Sequence, residues 1–153
     1  MALTTNTDRP AKSAGQIVSF LVEDNVHVYK GALVVANNAG YAEPATNASG
    51  KVLLGVAHEE CDNTLAGHSQ GGKSVRVIRG GRFLLTTADL VQADVGLKCY
   101  VEDDDTVNDA GTSTQGIVAG IAAGVESATQ VWVDIALGVT QGEPSAAANE
   151  DSE

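Results

Sequence analysis

Apolar and polar residues alternate most clearly in the stretch VRVIRGGRFLLTT, residues 75–87. Successive side chains of a strand point to opposite faces, so Val75 and Val77 share one face and Arg76 lies on the other. The adjacent glycines 80 and 81 interrupt the alternation, and glycine adopts the positive φ of a tight turn or bulge without a steric penalty. We therefore predict a β-hairpin with one apolar face that the rest of the chain covers.

Similar β-prone runs occur on both sides of this stretch. Turn residues such as Asn, Asp and Gly separate them, which is typical of short strands in a sheet. The runs before it are residues 16–22, 26–29, 32–36, 41–42 and 52–57, and residues 58–72 form a polar, glycine-rich loop. Residues 88–95 have a helix-tolerant composition and end at Gly96, which predicts one or two helical turns.

An internal repeat relates the two halves of the chain. Residues 31–57 align without gaps with residues 96–122, and an alternating run follows each copy, at 75–77 in the first and 131–133 in the second. The identities include Gly31 with Gly96, Gly55 with Gly120 and Ala57 with Ala122. Two such units can together close a small β-barrel or β-sandwich, which removes free sheet edges.

The composition supports an all-β fold. Hydrophobic residues make up 43% of the chain but aromatic residues only 4%, and there are 17 glycines. Small β-branched residues separated by glycine suit a sheet with many turns better than a helical bundle. The chain of 153 residues predicts one domain. We assign residues 15–137 to the β domain, residues 1–14 to a flexible polar arm and residues 138–153 to a disordered acidic tail.

The charge limits the partners that we expect. The formal net charge is −11, from 20 acidic and 9 basic residues, and a surface of that sign repels phosphate backbones and anionic membranes. The N-terminus lacks a signal-peptide pattern, and no apolar run is long enough for a membrane span. We therefore expect a soluble protein synthesised in the cytoplasm. Cys61 and Cys99 are too few for a disulfide framework or a four-ligand zinc site, which favours free thiols.

Two nucleotide- and hydrolase-type motifs overlap in residues 67–74, GHSQGGKS. The stretch matches the phosphate-binding pattern GxxxxGKS, but that loop requires a following helix and Val75 instead begins a strand pattern. It also matches the nucleophile pattern GxSxG around Ser69. All three histidines precede Ser69, whereas this class of hydrolase has its base after the serine. A surface loop without catalysis or a bound cofactor is the favoured interpretation.

Two acidic groups resemble metal or acid–base sites only weakly. Residues 103–105 are three aspartates, but Val107 occupies a position where a calcium loop requires a ligand, so an acidic hairpin turn is favoured over a metal site. Glu59, Glu60 and Asp62 follow a strand and could act as paired carboxylates. Nothing else in the sequence indicates a cleft there, so solvated charges are the expected role.

Basic residues are concentrated in one part of this acidic chain. Lys73, Arg76, Arg79 and Arg82 place four of nine basic residues within ten positions. This band either docks on an acidic protein surface or protects an exposed strand from edge pairing. Trp132 lies between two valines, so its ring faces away from them, and such a residue is typically a packing or interface anchor.

The chain resembles the small capsid decoration, or cement, proteins of tailed bacteriophages over about residues 16–137. The residues that carry the resemblance are KGALVV (30–35), GYAEPAT (40–46), LGVA (54–57), GGRF (80–83), ADVG (93–96), YVEDD (100–104), TV (106–107) and VAGI (118–121). The resemblance implies a compact β domain, commonly trimeric, that binds between major capsid protein subunits at threefold positions on the capsid exterior. It implies no catalysis and no cofactor.

The resemblance turns the exposed features into candidate capsid or inter-subunit contacts. The arm is expected to order on the capsid or on a neighbouring copy, as an added strand. The candidates are Asp8, Arg9, Pro10, Arg76, Arg79, Arg82 and Trp132. The alternative is a tail or receptor-binding accessory module of the virion.

Overall fold

The computed structural model describes residues 2–12 and 16–135, and its regular secondary structure is almost entirely β-strand. The predicted runs form strands at or near their expected positions. The strands are β1 (Ala11–Lys12), β2 (Gln16–Leu21), β3 (His27–Val28), β4 (Leu33–Ala36), β5 (Ala42–Pro44), β6 (Val52–Ala57), β7 (Cys61–Asp62), β8 (Ser74–Arg79), β9 (Gly81–Thr86), β10 (Lys98–Val101), β11 (Val107–Asn108), β12 (Val118–Ser127) and β13 (Gln130–Ile135). The predicted all-β class is confirmed.

The strands form two large sheets and one small pair. The N-sheet has the order β2-β8-β6-β4-β5, and the C-sheet has the order β1-β9-β13-β12-β10-β11. Strands β3 and β7 pair with each other. Both large sheets curl, because Val22 bridges Ala42 beyond β2 and Thr86 bridges Thr106 beside β9. The finer expectation of a closed barrel or sandwich stays a prediction.

The predicted hairpin of β8 with β9 is wrong. Strand β8 lies in the N-sheet between β2 and β6, whereas β9 lies in the C-sheet between β1 and β13. Gly80 and Gly81, with φ of 104° and 122°, carry the chain from one sheet to the other. Val75 and Val77 of β8 lie in one buried cluster and Phe83 and Leu85 of β9 lie in another, while Ile78 of β8 packs against the cluster of β9. Local alternation detects the strands but not their partners.

The internal repeat is confirmed by the strand pairing. Strands β4, β5 and β6 have the same mutual arrangement as β10, β11 and the first part of β12, and the register shift follows the second pair in both sheets. The matched pairs are Leu33–Val56, Val34–Gly55 and Val35–Leu53 in the N-sheet and Lys98–Ile121, Cys99–Gly120 and Tyr100–Val118 in the C-sheet. The two sheets are therefore built on one plan.

The hydrophobic residues form two clusters on opposite faces of the N-sheet. The first joins Leu33 and Val35 to the inward side chains of the C-sheet. The second contains Val34 with Val28 and Cys61, which belong to the small β3–β7 pair. A strand buried on both faces needs apolar residues at consecutive positions, which explains the continuous apolar sequence of β6.

The predicted helix over 88–95 is shorter than expected. A single 3₁₀ turn covers Gln92–Asp94 and contains no buried residue. Leu90 is buried just before it, whereas Val91 and Val95 are exposed, so the stretch has no apolar stripe that packing could stabilise. Among the described residues, no helix has the length and apolar content needed to cross a membrane.

The N-terminal arm is not free over residues 2–12, contrary to the prediction. Thr7 N donates a hydrogen bond to Lys30 O at 2.9 Å, and Leu84 N donates one to Pro10 O at 3.1 Å. Strand β1 then adds to β9 as an antiparallel edge strand. The expected pairing of the arm with the capsid or with a neighbouring copy stays a prediction. Residues 1 and 13–14 of the arm, residues 15 and 136–137 of the domain and the tail 138–153 lie outside the described residues.

Candidate docking surface

The outward face of the C-sheet carries a mixture of apolar and charged side chains. Directly opposed residues of antiparallel strands share a face, and the pairing aligns Lys98, Ile121, Asp134 and Arg82 in one row across four strands. Trp132 pairs with Leu84 in a second row. We call this set of six residues the C-sheet outer face.

The C-sheet outer face is accessible. Ile121 is 37% exposed, and the Arg82 and Asp134 side chains are about half exposed with an N–O separation of 3.7 Å. Trp132 is half-buried and its Nε1 donates to Glu126 Oε1 at 3.0 Å. Across the strand from Trp132 is Gly124, where an added Cβ would meet nothing within 4 Å. The indole ring of Trp132 therefore lies beside an open space on the surface, above Gly124.

The repeat shows what the same face does in the other unit. The N-sheet residues at the positions of Lys98, Ile121 and Asp134 are Leu33, Val56 and Ile78, and they pack in the first hydrophobic cluster. The C-sheet keeps an apolar residue at one of these positions and has charged residues at the other two. Apolar anchors beside charged residues are typical of interfaces that form and dissociate.

The predicted band of four cations does not form one surface. Arg76 and Arg79 lie on opposite faces of β8, and Arg82 lies in the other sheet. Arg79 donates from Nε to Leu54 O at 3.0 Å and lies over the ring of Phe20. In a strand, residues three positions apart point to opposite faces, which separates Arg76 from Arg79. Gly80 and Gly81 then carry the chain into the C-sheet, which separates Arg82 from both.

Arg76 is exposed but already paired with a carboxylate. Its Nε and one terminal nitrogen donate to Glu59 Oε1 at 3.1 and 2.9 Å, and its side chain is 55% exposed. These hydrogen bonds hold the pKa of Glu59 below its usual value. A partner that binds Arg76 therefore has to share or displace Glu59.

The three arm candidates differ in accessibility. The Asp8 side chain is 92% exposed and pairs with Lys30 at 2.8 Å. Pro10 is exposed while its carbonyl pairs with β9. The Arg9 side chain is only 7% exposed and donates to Gly31 O, Leu84 O and Asp105 Oδ1. The structure thus places Arg9 inside the protein, as a clamp between the arm and both units, rather than on a docking surface.

The acidic residues 103–105 form the predicted turn. Asp103 Oδ1 accepts hydrogen bonds from the backbone N–H groups of Asp105 and Thr106, both at 2.9 Å. Asp105 binds Arg9 and Thr86. Within residues 2–12 and 16–135, no group of three or more His, Cys, Asp or Glu side chains is arranged to hold a metal ion.

Asp104 is buried in this turn, with 3% of the residue exposed, and its Oδ1 accepts a hydrogen bond from Leu3 N at 2.9 Å. Desolvation raises the pKa of Asp104 to about 6, from 3.8. Since the raised pKa favours the protonated form, the contribution of this group to stability is complete below pH 3.8 and is lost as the pH rises through about 6.

We therefore expect Asp104→Asn, which keeps the acceptor for Leu3 but carries no charge, to stabilise the protein at pH 8 by up to about 3 kcal/mol. At pH 4 the difference from the wild type should be close to zero, because Asp104 is then protonated in the native protein. Urea unfolding of both proteins at the two pH values measures this. A difference that does not change with pH would contradict the expected titration.

The overlapping motifs at residues 67–74 lie in the loop between β7 and β8. Ser74 begins β8, so a strand and not a helix follows Lys73, as predicted. Lys73 Nζ donates to Asp62 O at 2.9 Å, and His68 Nδ1 lies 2.6 Å from Asp24 Oδ1. These contacts hold the loop against its neighbours.

The remaining carboxylates and thiols have structural partners. Asn6 and His27 hydrogen-bond Glu60 and lower its pKa. Cys61 and Cys99 are both buried free thiols, as predicted. Burial raises the pKa of Cys99 to about 12, so this thiol stays protonated and unreactive.

Comparisons with protein-family models, with curated proteins and with solved structures yield no match to this chain. Sequence reasoning identified Trp132 and Arg82 as candidates but missed Asp134, Leu84, Lys98 and Ile121. The signal that could have found the last two was the repeat, which aligns them with the apolar Leu33 and Val56.

Proposed function

We propose that this chain is a structural virion protein that decorates and cements a phage capsid by binding between neighbouring major capsid protein subunits. It acts from the capsid exterior and performs no reaction. Two lines of support combine here: a resemblance in sequence to phage decoration proteins, and a surface on the folded domain suited to docking on another protein.

The residues that carry the resemblance build the repeated part of the fold. Residues 30–35 lead into β4, residues 54–57 lie in β6, and residues 118–121 begin β12. Residues 80–83 contain the glycine corner between the sheets. The resemblance therefore concerns the architecture of the body, and the docking contacts have to be sought on its exposed faces.

The observation that carries the docking proposal is the C-sheet outer face. The corresponding face of the N-sheet is buried by packing, whereas this one is exposed and combines Trp132 and Ile121 with Arg82 and Lys98. Aromatic and arginine side chains are enriched among residues that dominate binding energy. A large protein surface such as a capsid lattice is the kind of partner that a sheet face fits.

Cementing then follows from mass action. A protein that binds assembled subunits but not separated ones adds its own binding free energy to the cost of separating them. Repetition over many lattice sites turns a modest contact into a large total effect.

Mass spectrometry of separated heads and tails tests the proposal. We expect the chain in the head fraction of the phage that encodes it, in numbers proportional to the capsid protein. Recovery in the tail fraction alone would favour the alternative, a tail or receptor-binding accessory module, and would refute the decoration role.

Substitution of Trp132 by alanine tests the docking face. We expect the variant to bind heads stripped of this chain about tenfold to a hundredfold more weakly, because a half-buried aromatic anchor contributes strongly at an interface. Quantitative cosedimentation measures the affinity. Leu65→Ala is the matched control, since Leu65 is 54% exposed but lies in the β7–β8 loop. Equal binding of the two variants would exclude this face.

A further inference from the structure

Strand β2 has an unpaired edge. It pairs on one side with β8 over its whole length, from Gln16 with Arg79 to Leu21 with Ser74. Within residues 2–12 and 16–135, no strand pairs with its other side over residues 16–20. Just after β2 the same edge is no longer open, because Val22 forms a bridge with Ala42 of β5. A row of backbone donors and acceptors over five residues is thus open.

The repeat identifies what this edge is built to accept. Strand β9 holds the equivalent position in the C-sheet, and its outer edge carries β1 as an added antiparallel strand. The pairs are Ala11 with Phe83 and Lys12 with Arg82. Residues 82–84 correspond to residues 17–19 in the repeat. The β2 edge is therefore equivalent to the β9 edge that accepts β1, but among the described residues no strand pairs with it.

The sequence of β2 lacks the features that normally protect an edge. QIVSFL contains no charged residue and no proline, and its register with β8 runs without a bulge. Ile17 is 45% and Leu21 is 54% exposed. An uncharged, apolar edge strand is a ready template for pairing with another chain.

We propose that this edge pairs with β2 of a second copy of the same chain, in an antiparallel two-fold contact centred on Val18. The contact is isologous, and Ile17 of each copy lies opposite Ser19 of the other. Strand β2 is compatible with itself because no like charges oppose each other. The contact joins the two N-sheets into one continuous sheet. It differs from the trimer that the resemblance implies, and it does not depend on capsid binding.

Salt strengthens this contact. Each copy has a formal charge of −11, so the two bodies repel each other while the strands themselves are uncharged. Added salt screens the repulsion and leaves the backbone hydrogen bonds in place. Docking of a basic partner on this acidic chain would show the opposite dependence.

Analytical ultracentrifugation of the full chain over a wide concentration range tests the proposal. We expect a reversible dimer that tightens with salt. Ile17→Lys should weaken the association about tenfold or more, because the two-fold places the new charge in both copies. Leu65→Lys, an equally exposed substitution away from the edge, should dimerise like the wild type.

Hydrogen exchange followed at the same concentrations locates the contact. We expect amide protection in residues 16–20 to increase with protein concentration. A wild-type monomer at every concentration would overturn the proposal, as would a trimer or an unaffected Ile17→Lys dimer. Concentration-independent protection of residues 16–20 in a monomer would also overturn it, since the chain would then cover its own edge.

Discussion

Gly55→Ala is expected to lower the free energy of unfolding by about 4 kcal/mol or more, or to prevent folding. A Cβ at Gly55 would lie less than 3.0 Å from both the carbonyl oxygen of Ile78 and Cγ1 of Val77. The φ of 147° adds strain for any side chain. Because β6 lies between β4 and β8, the backbone carbonyl of Ile78 cannot move away without disturbing the pairing of the N-sheet.

The repeat supplies a second site and a control. Gly120 occupies the equivalent position in β12, and a Cβ there would clash with the carbonyl oxygen of Asp134 and with Val133. Gly124 lies in the same strand but has open space around it. Gly124→Ala should change stability by less than about 1 kcal/mol. Urea unfolding of the three variants measures the differences, and equal stabilities of Gly55→Ala and Gly124→Ala would contradict the close packing described here.

Arg9→Met is expected to destabilise the protein by about 3–5 kcal/mol, because it removes a buried cation and leaves Asp105 without its cationic partner. Asp105 is 19% exposed and lies 2.9 Å from the guanidinium. The Arg9 guanidinium also donates hydrogen bonds to Gly31 O, at the start of the first repeat unit, and to Leu84 O, in the C-sheet. Its loss should therefore release the arm as well as weaken the junction of the units.

Asp8→Ala is the matched control for Arg9→Met. Asp8 is the neighbouring residue, but its ion pair with Lys30 is exposed to solvent and should contribute little to stability. Limited proteolysis reports on the arm, and urea unfolding reports on the whole protein. If cleavage of residues 2–12 and the unfolding midpoint were the same in both variants, the clamp would not exist.

The strands were predictable because their pattern is local. The buried Val75 and Val77 and the exposed Arg76 follow from alternation alone, and the repeat predicted the shared pairing of the two units. The partner of β8 was not predictable. Whether two successive strands pair depends on which core each one faces, and both cores accept valine and leucine equally well.

The clamp at Arg9 shows a second limit of sequence reasoning. Its acceptors Gly31, Leu84 and Asp105 lie 22, 75 and 96 residues further along the chain. A polar, proline-containing segment gives no local signal of partners at that distance, so a free arm was the natural prediction. On the docking face, alternation identified Trp132, but Lys98 and Ile121 became recognisable only when their strands were placed side by side.

The most direct test of the decoration role is an electron-microscopy reconstruction of the phage head that contains this chain, at a resolution that shows side chains. We expect the C-sheet outer face, with Trp132 near its centre, to lie against neighbouring major capsid protein subunits. A head on which this face points to solvent, or on which the chain is absent, would contradict the account.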